Sequence, residues 1–316
     1  MIKYYEKLKS FPIACIGAAL GFISTSNIWG VHGIHFLKPL GIIFGLIALS
    51  LMLLKLIFHP KQVWNELKHP VAASFYPTID MILMSFCVYL LPYDKPFART
   101  LWIISIIIHF SIFLLFFTLR FKNFKFKSIL PSWNVVIVGY CTASAGSLGM
   151  GFPHISEFLT YIALILYVPF YPILMYRIYF YKPKIEVCDC ATMGILPAAS
   201  SLVLASYYTT SANPNILILL FLIITSILNV ILIYIELPKF YKMGFMPGCA
   251  AFTFPLAISV TAMWKTNIYV SKYSIWCSNL FKIISNIELI ICSIVVLYIT
   301  VNFLILGYKT IIKHNY

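Results

Sequence analysis

The sequence predicts an all-α integral membrane protein, with ten transmembrane helices paired as five tandem hairpins around a central pseudo-fivefold pore. Three observations carry this. Of the 316 residues 61% are hydrophobic and only 10% charged, whereas a soluble domain is typically about 25% charged. Apolar segments of about 20 residues, the length that crosses a bilayer, recur along the whole chain. Prolines stand at matching places in alternate segments.

The spans are expected at 11–30, 37–58, 74–93, 99–119, 129–149, 157–178, 190–211, 214–236, 247–265 and 283–307. They fill the length as one transmembrane domain, 1–316, with hairpins 11–58, 74–119, 129–178, 190–236 and 247–307. The first span follows Lys3, Lys7 and Lys9 and could imitate a signal peptide. Its apolar run is long enough to cross, so it is read as a retained helix. The fifth and seventh spans are the weakest, being rich in Gly, Ala, Ser and Thr.

Pro12, Pro77, Pro131, Pro197 and Pro255 lie near the starts of the odd spans, separated by 65, 54, 66 and 58 residues. Phe11, Tyr76, Leu130, Leu196 and Phe254 precede them, and small or polar residues follow. A proline removes a backbone hydrogen bond and kinks a helix. The even spans, such as "IIFGLIALSLMLLKLIF" and "WIISIIIHFSIFLLFF", are bulky and greasy. This is a repeat of one helical hairpin. The simplest assembly sets five kinked helices inside, packed closely through small residues, and five greasy ones outside. Irregular backbone at membrane depth is tolerated where it lines a cavity.

The net charge of +14 reflects orientation and lipid contact rather than nucleic-acid binding, because the cations sit between apolar segments. With ten spans, 17 Lys and Arg fall on the N-terminal side and 6 on the other. The positive-inside rule then puts both termini in the cytoplasm of a multi-pass inner or plasma membrane protein. Most of the eight cysteines fall inside spans. Cys188 and Cys190 form a C-x-C pair with neither a second pair nor a His nearby, which does not match a metal site.

No catalytic triad, metalloprotease motif or phosphate-cradling loop can be assembled, so neither an enzyme nor a cofactor is expected. Asp80, three residues past Pro77, is the clearest intramembrane polar site. It reads either as a pathway carboxylate or as a cap for backbone freed by the kink. His109 is expected to hydrogen-bond within the bundle. Glu157, Glu236 and Glu288 are placed near span ends, where water reaches them. Lys and Arg are absent from the interiors of the odd spans, so helix dipoles would have to help a passing anion.

The stretches "FPIACIGAALGF" (11–22), "HPVAASFYPTIDMILMS" (69–85), "PSWNVVIVGY" (131–140), "LPAASSLVLASYY" (196–208) and "FMPGCAAFTFPLAIS" (245–259) together resemble the TehA tellurite-resistance and C4-dicarboxylate transporter family. That family includes the slow anion channels of plant guard cells. The resemblance implies five hairpins around a pore, a homotrimer with one pore per subunit, and a phenylalanine of the ninth helix plugging the pore. The plug corresponds to Phe254, with Phe252 as the alternative register. Gly21 matches a first-helix glycine that allows tight packing beside the pore. The long tails of the plant members have no counterpart, as in a compact prokaryotic member. The expected function is a gated channel for small monovalent anions such as chloride and nitrate. The alternative is a proton-coupled transporter of dicarboxylates or tellurite-related oxyanions. A coupling group at mid-depth would separate them, and only Asp80 qualifies.

Overall fold

The computed structural model describes residues 2–122, 124–181 and 191–312, and among them every regular element is helical. The Cys188/Cys190 pair lies outside the described residues. A short amphipathic α1 (Ile2–Lys9) leads into α2 (Ala14–Val31) and α3 (Leu37–Phe58). Then come α4 (Pro60–Lys68), α5 (Pro70–Phe75), α6 (Thr78–Leu90) and α7 (Lys95–Phe121). The middle of the chain forms α8 (Trp133–Val138), α9 (Cys141–Ala145) and α10 (Pro153–Tyr176), which ends in a π turn, Arg177–Tyr181. A 3-10 turn, Ala191–Ile195, opens α11 (Leu196–Thr210), and α12 (Ile216–Met243) follows. A second 3-10 turn, Pro247–Phe252, opens α13 (Thr253–Val270), and α14 (Ile275–Ile312) closes the described chain.

Among the described residues, eight stretches are long and apolar enough to cross a membrane, which makes this a multi-pass membrane protein. The expected spans at 129–149 and 190–211 are built from shorter pieces. The first breaks between α8 and α9. A Cβ on Gly139 at that break would stand 2.8 Å from His109 Cε1 and 3.0 Å from Met81 Sδ, so the chain passes where no side chain fits. The second has 15 α-helical residues, about 22 Å at 1.5 Å per residue. The last helix is longer than the expected 283–307 and begins at Ile275. Its early polar residues are satisfied within the bundle, as where Ser278 Oγ donates to Asn267 Oδ1 at 2.7 Å.

The helices form two layers. Over an apolar 18-residue window of α2, Pro70–Leu90 and Pro247–Val270, 72%, 78% and 78% of the residues are buried. In the other five long stretches the share is 28–39%, and large apolar side chains such as Ile107, Leu217 and Ile294 point outward. The inner elements touch in cyclic order: α2 to α6, α6 to α9, α9 to α11, α11 to α13, and α13 back to α2.

The five marked prolines stand where inner helices begin rather than inside continuous ones. Pro12 and Pro131 lie two residues before α2 and α8, and Pro77 separates α5 from α6. Pro197 and Pro255 sit in the first turns of α11 and α13, each behind a 3-10 turn. A proline costs least there, because its missing N–H would have no helical partner. Prolines within helices belong instead to the outer layer, at Pro169 and Pro172 of α10 and Pro238 of α12.

Candidate functional site

The five inner segments converge on one cavity. Its wall takes Gly17 from α2, Thr78 and Met81 from α6, Asn134 from α8, Ala198 and Leu202 from α11, and Phe254 and Pro255 from α13. Each falls in the first turns of its helix, so helix N-termini, the positive ends of the dipoles, gather around it. The free volume is about 30 Å³, about the space one water takes up in the liquid and too little for a hydrated ion.

Phe254 and Phe252 have different surroundings. Phe254 is 8% exposed and borders the cavity. Phe252 is turned away from it and packs on Phe240 of α12, with ring centroids 4.7 Å apart. Gly194 closes over the same ring, since a Cβ there would stand 2.8 Å from Phe252 Cγ.

Gly21 sits against the start of α13. A Cβ on it would reach within 2.7 Å of the Phe254 backbone nitrogen and 2.5 Å of Thr253 Oγ1. The Thr253 hydroxyl lies 3.0 Å from the Gly17 carbonyl and 2.8 Å from the Ala250 carbonyl. The backbone carrying Phe254 is thereby seated on α2.

Asp80 is fully buried but does not line the cavity. One of its oxygens lies 2.6 Å from His109 Nδ1 on α7, and His109 Nε2 lies 3.1 Å from the Val136 carbonyl on α8. Asp80 is thus paired with His109 and is absent from the cavity wall. The pair joins an outer helix to two inner segments, and His109 bonds within the bundle as expected.

Glu288 departs from its expected wet position. It is 5% exposed, and Ser259 Oγ of α13 donates to its Oε2 at 2.7 Å. The helix that holds it begins eight residues before the expected edge, so the carboxylate lies well inside.

Two charged sites escaped the sequence reasoning. Lys55, counted there only as an orientation charge, is buried; its Nζ donates to Glu66 Oε1 at 2.7 Å and to the Phe11 carbonyl at 2.6 Å. Tyr76 Oη donates to the other Glu66 oxygen at 2.8 Å, so this knot ties together the residues before Pro12 and Pro77. The i, i+11 spacing of Lys55 and Glu66 across a helix break carries no periodic signal. Lys265 lies eleven residues beyond Phe254 on α13, about 16 Å along the helix. Its Nζ donates to the Ala205 and Ala145 carbonyls at 3.1 and 3.3 Å and to the Thr209 hydroxyl. It joins α9, α11 and α13 at the far end of the inner ring.

The sequence model of one protein family, described as SLAC1, voltage-dependent anion channel, matches residues 10–304. A curated relative from Methanocaldococcus jannaschii, described as an uncharacterized transporter, is 25% identical over 163 residues. That match covers 47% of this chain and 47% of the relative, so the chain spans about half the length of the curated relative it matches.

Proposed function

The chain belongs to the voltage-dependent anion channel family, whose members are channels and transporters rather than enzymes, and from that premise we propose that it is a gated channel for small monovalent anions such as chloride and nitrate. The observation that carries this is a cavity shared by all five inner segments, with the Phe254 ring on its wall. An apolar constriction of this size blocks an ion that keeps its water. The helix starts around it supply partial positive charge without a fixed cation, which lets an anion bind and leave.

In this reading ten spans form five hairpins with pseudo-fivefold symmetry, the broken fifth and short seventh spans completing the inner ring. Phe254 is the plug, and Phe252 holds the approach to α13 in place against α12. The five prolines set the height at which the inner helices begin, and Gly21 lets α2 support the plug. Both termini face the cytoplasm, and three copies assemble with one pore each. Anion currents from the purified protein in planar bilayers test the reading, with Phe254→Ala expected to conduct more than wild type.

The Asp80–His109 pair favours a second reading, proton-coupled transport of dicarboxylates or oxyanions, because ionisable residues at this depth serve in proton relays. Uptake that saturates and follows an imposed pH gradient would select it over the channel.

A further inference from the structure

Most side chains on the cavity wall are apolar, and Thr78 and Asn134 are the two polar ones. Their hydrogen-bonding states differ. Thr78 donates its proton to the Phe75 carbonyl at 2.6 Å. Asn134 is 2% exposed, and its amide oxygen has no hydrogen-bond partner. Buried side-chain amides are nearly always bonded, since leaving one unmade costs free energy. The two ends of the amide can exchange by rotation, and the orientation that brings Nδ2 to the unbonded position offers its N–H pair to the cavity.

We propose that Asn134 is the hydrogen-bond donor that receives a permeating anion at the constriction, and that its Nδ2 group sets the preference among anions there. The proposal rests on the channel reading. An anion entering this apolar cavity loses water and gains few contacts in return. Lys265 is about 16 Å further along its helix, so a neutral amide is the strongest side-chain donor at this level. The smaller and more strongly hydrated the anion, the more it depends on that donor. Chloride therefore relies on Asn134 more than thiocyanate does, and a dicarboxylate finds nothing to neutralise its second charge.

The test uses the full chain in planar bilayers with Phe254→Ala as the background, so that the plug does not mask the effect. Adding Asn134→Ala should cut chloride conductance about tenfold, the worth of one hydrogen bond to a charged group. Thiocyanate should fall less, which moves the permeability ratio toward it. Asn134→Ser, which keeps a donor, should restore part of the chloride current. A chloride-to-thiocyanate ratio unchanged between Phe254→Ala and the double variant overturns the inference while leaving the channel intact. No anion current from Phe254→Ala alone overturns the channel reading and this inference with it. Asn134→Leu, close in volume, should unfold in detergent at the wild-type temperature, because the amide oxygen has no protein partner to lose. A marked drop there would make the amide structural and sink the proposal.

Discussion

Replacing Phe254 by Ala tests the central claim about the cavity. The wild-type free volume is about 30 Å³. Deleting a benzene-sized ring adds on the order of 100 Å³, the space of about three waters at roughly 30 Å³ each. An anion could then cross with part of its shell in place. At 25 °C a barrier lower by about 1.4 kcal/mol multiplies the rate about tenfold, so a gain of at least that size is expected. Phe→Ala in a closed core costs about 3–5 kcal/mol. Here the low end applies, because the ring already borders a void that water can fill, so the variant should remain folded. Chloride and nitrate currents in planar bilayers, paired with thermal unfolding in detergent, measure both effects. A folded Phe254→Ala protein with wild-type current would refute the plug, and a gain seen only in Phe252→Ala would move it by two residues.

Phe252→Ala should differ from Phe254→Ala in leaving the current unchanged, while lowering the unfolding temperature through loss of the Phe240 contact, at about 3–5 kcal/mol. Gly21→Ala should destabilise by about 1–3 kcal/mol through overpacking, since its Cβ would meet the Phe254 nitrogen at 2.7 Å. Its wild-type current should also change, because the strain falls on the residue that carries the plug. Asp80→Ala strips His109 of its partner in a fully buried pair and should cost about 3–5 kcal/mol, read as a fall in unfolding temperature. Lys265→Gln should reduce anion current at low salt and lose its effect near 1 M salt, where the Debye length is about 3 Å. Equal reductions at both salt concentrations would mean that the lysine acts only through its hydrogen bonds.

The parts of the fold legible in the sequence were those written as repetition. Of the ten expected spans, apolar length located the eight that are long, apolar helical stretches among the described residues, and the contrast between small, proline-marked segments and greasy ones anticipated which layer would be buried. The prolines were found but their geometry was not, because spacing gives a break its height along the span and not whether the backbone bends or starts afresh. The edges of the last span were misplaced because Asn267 and Ser278 satisfy each other across two helices, so polar residues there do not mark a loop. The site divided the same way. Phe254 was singled out by the family resemblance, and only tertiary packing shows that it, and not Phe252, borders the cavity. Asn134 gave no signal at all, since an isolated Asn in an apolar run looks the same whether or not its amide is bonded.

The contest between channel and transporter turns on where ionisable groups lie relative to the cavity. A coupled carrier must let its proton site and its substrate site feel each other. Asp80 is one residue from Met81, which lines the cavity, yet its carboxylate points to His109 and the outer layer. Glu288 likewise lies behind α13, held by Ser259. Neither carboxylate lines the cavity, whereas the Asn134 amide oxygen, on its wall, has no hydrogen-bond partner. If the cavity is the pathway, as proposed, this keeps negative charge off it and favours conduction over coupling. A pair buried this way can still influence flux through the position of the inner segments, which predicts that Asp80→Asn will alter current and stability together while leaving anion preference unchanged. A change in chloride-to-thiocyanate preference in Asp80→Asn would put the carboxylate in the pathway after all and revive coupling.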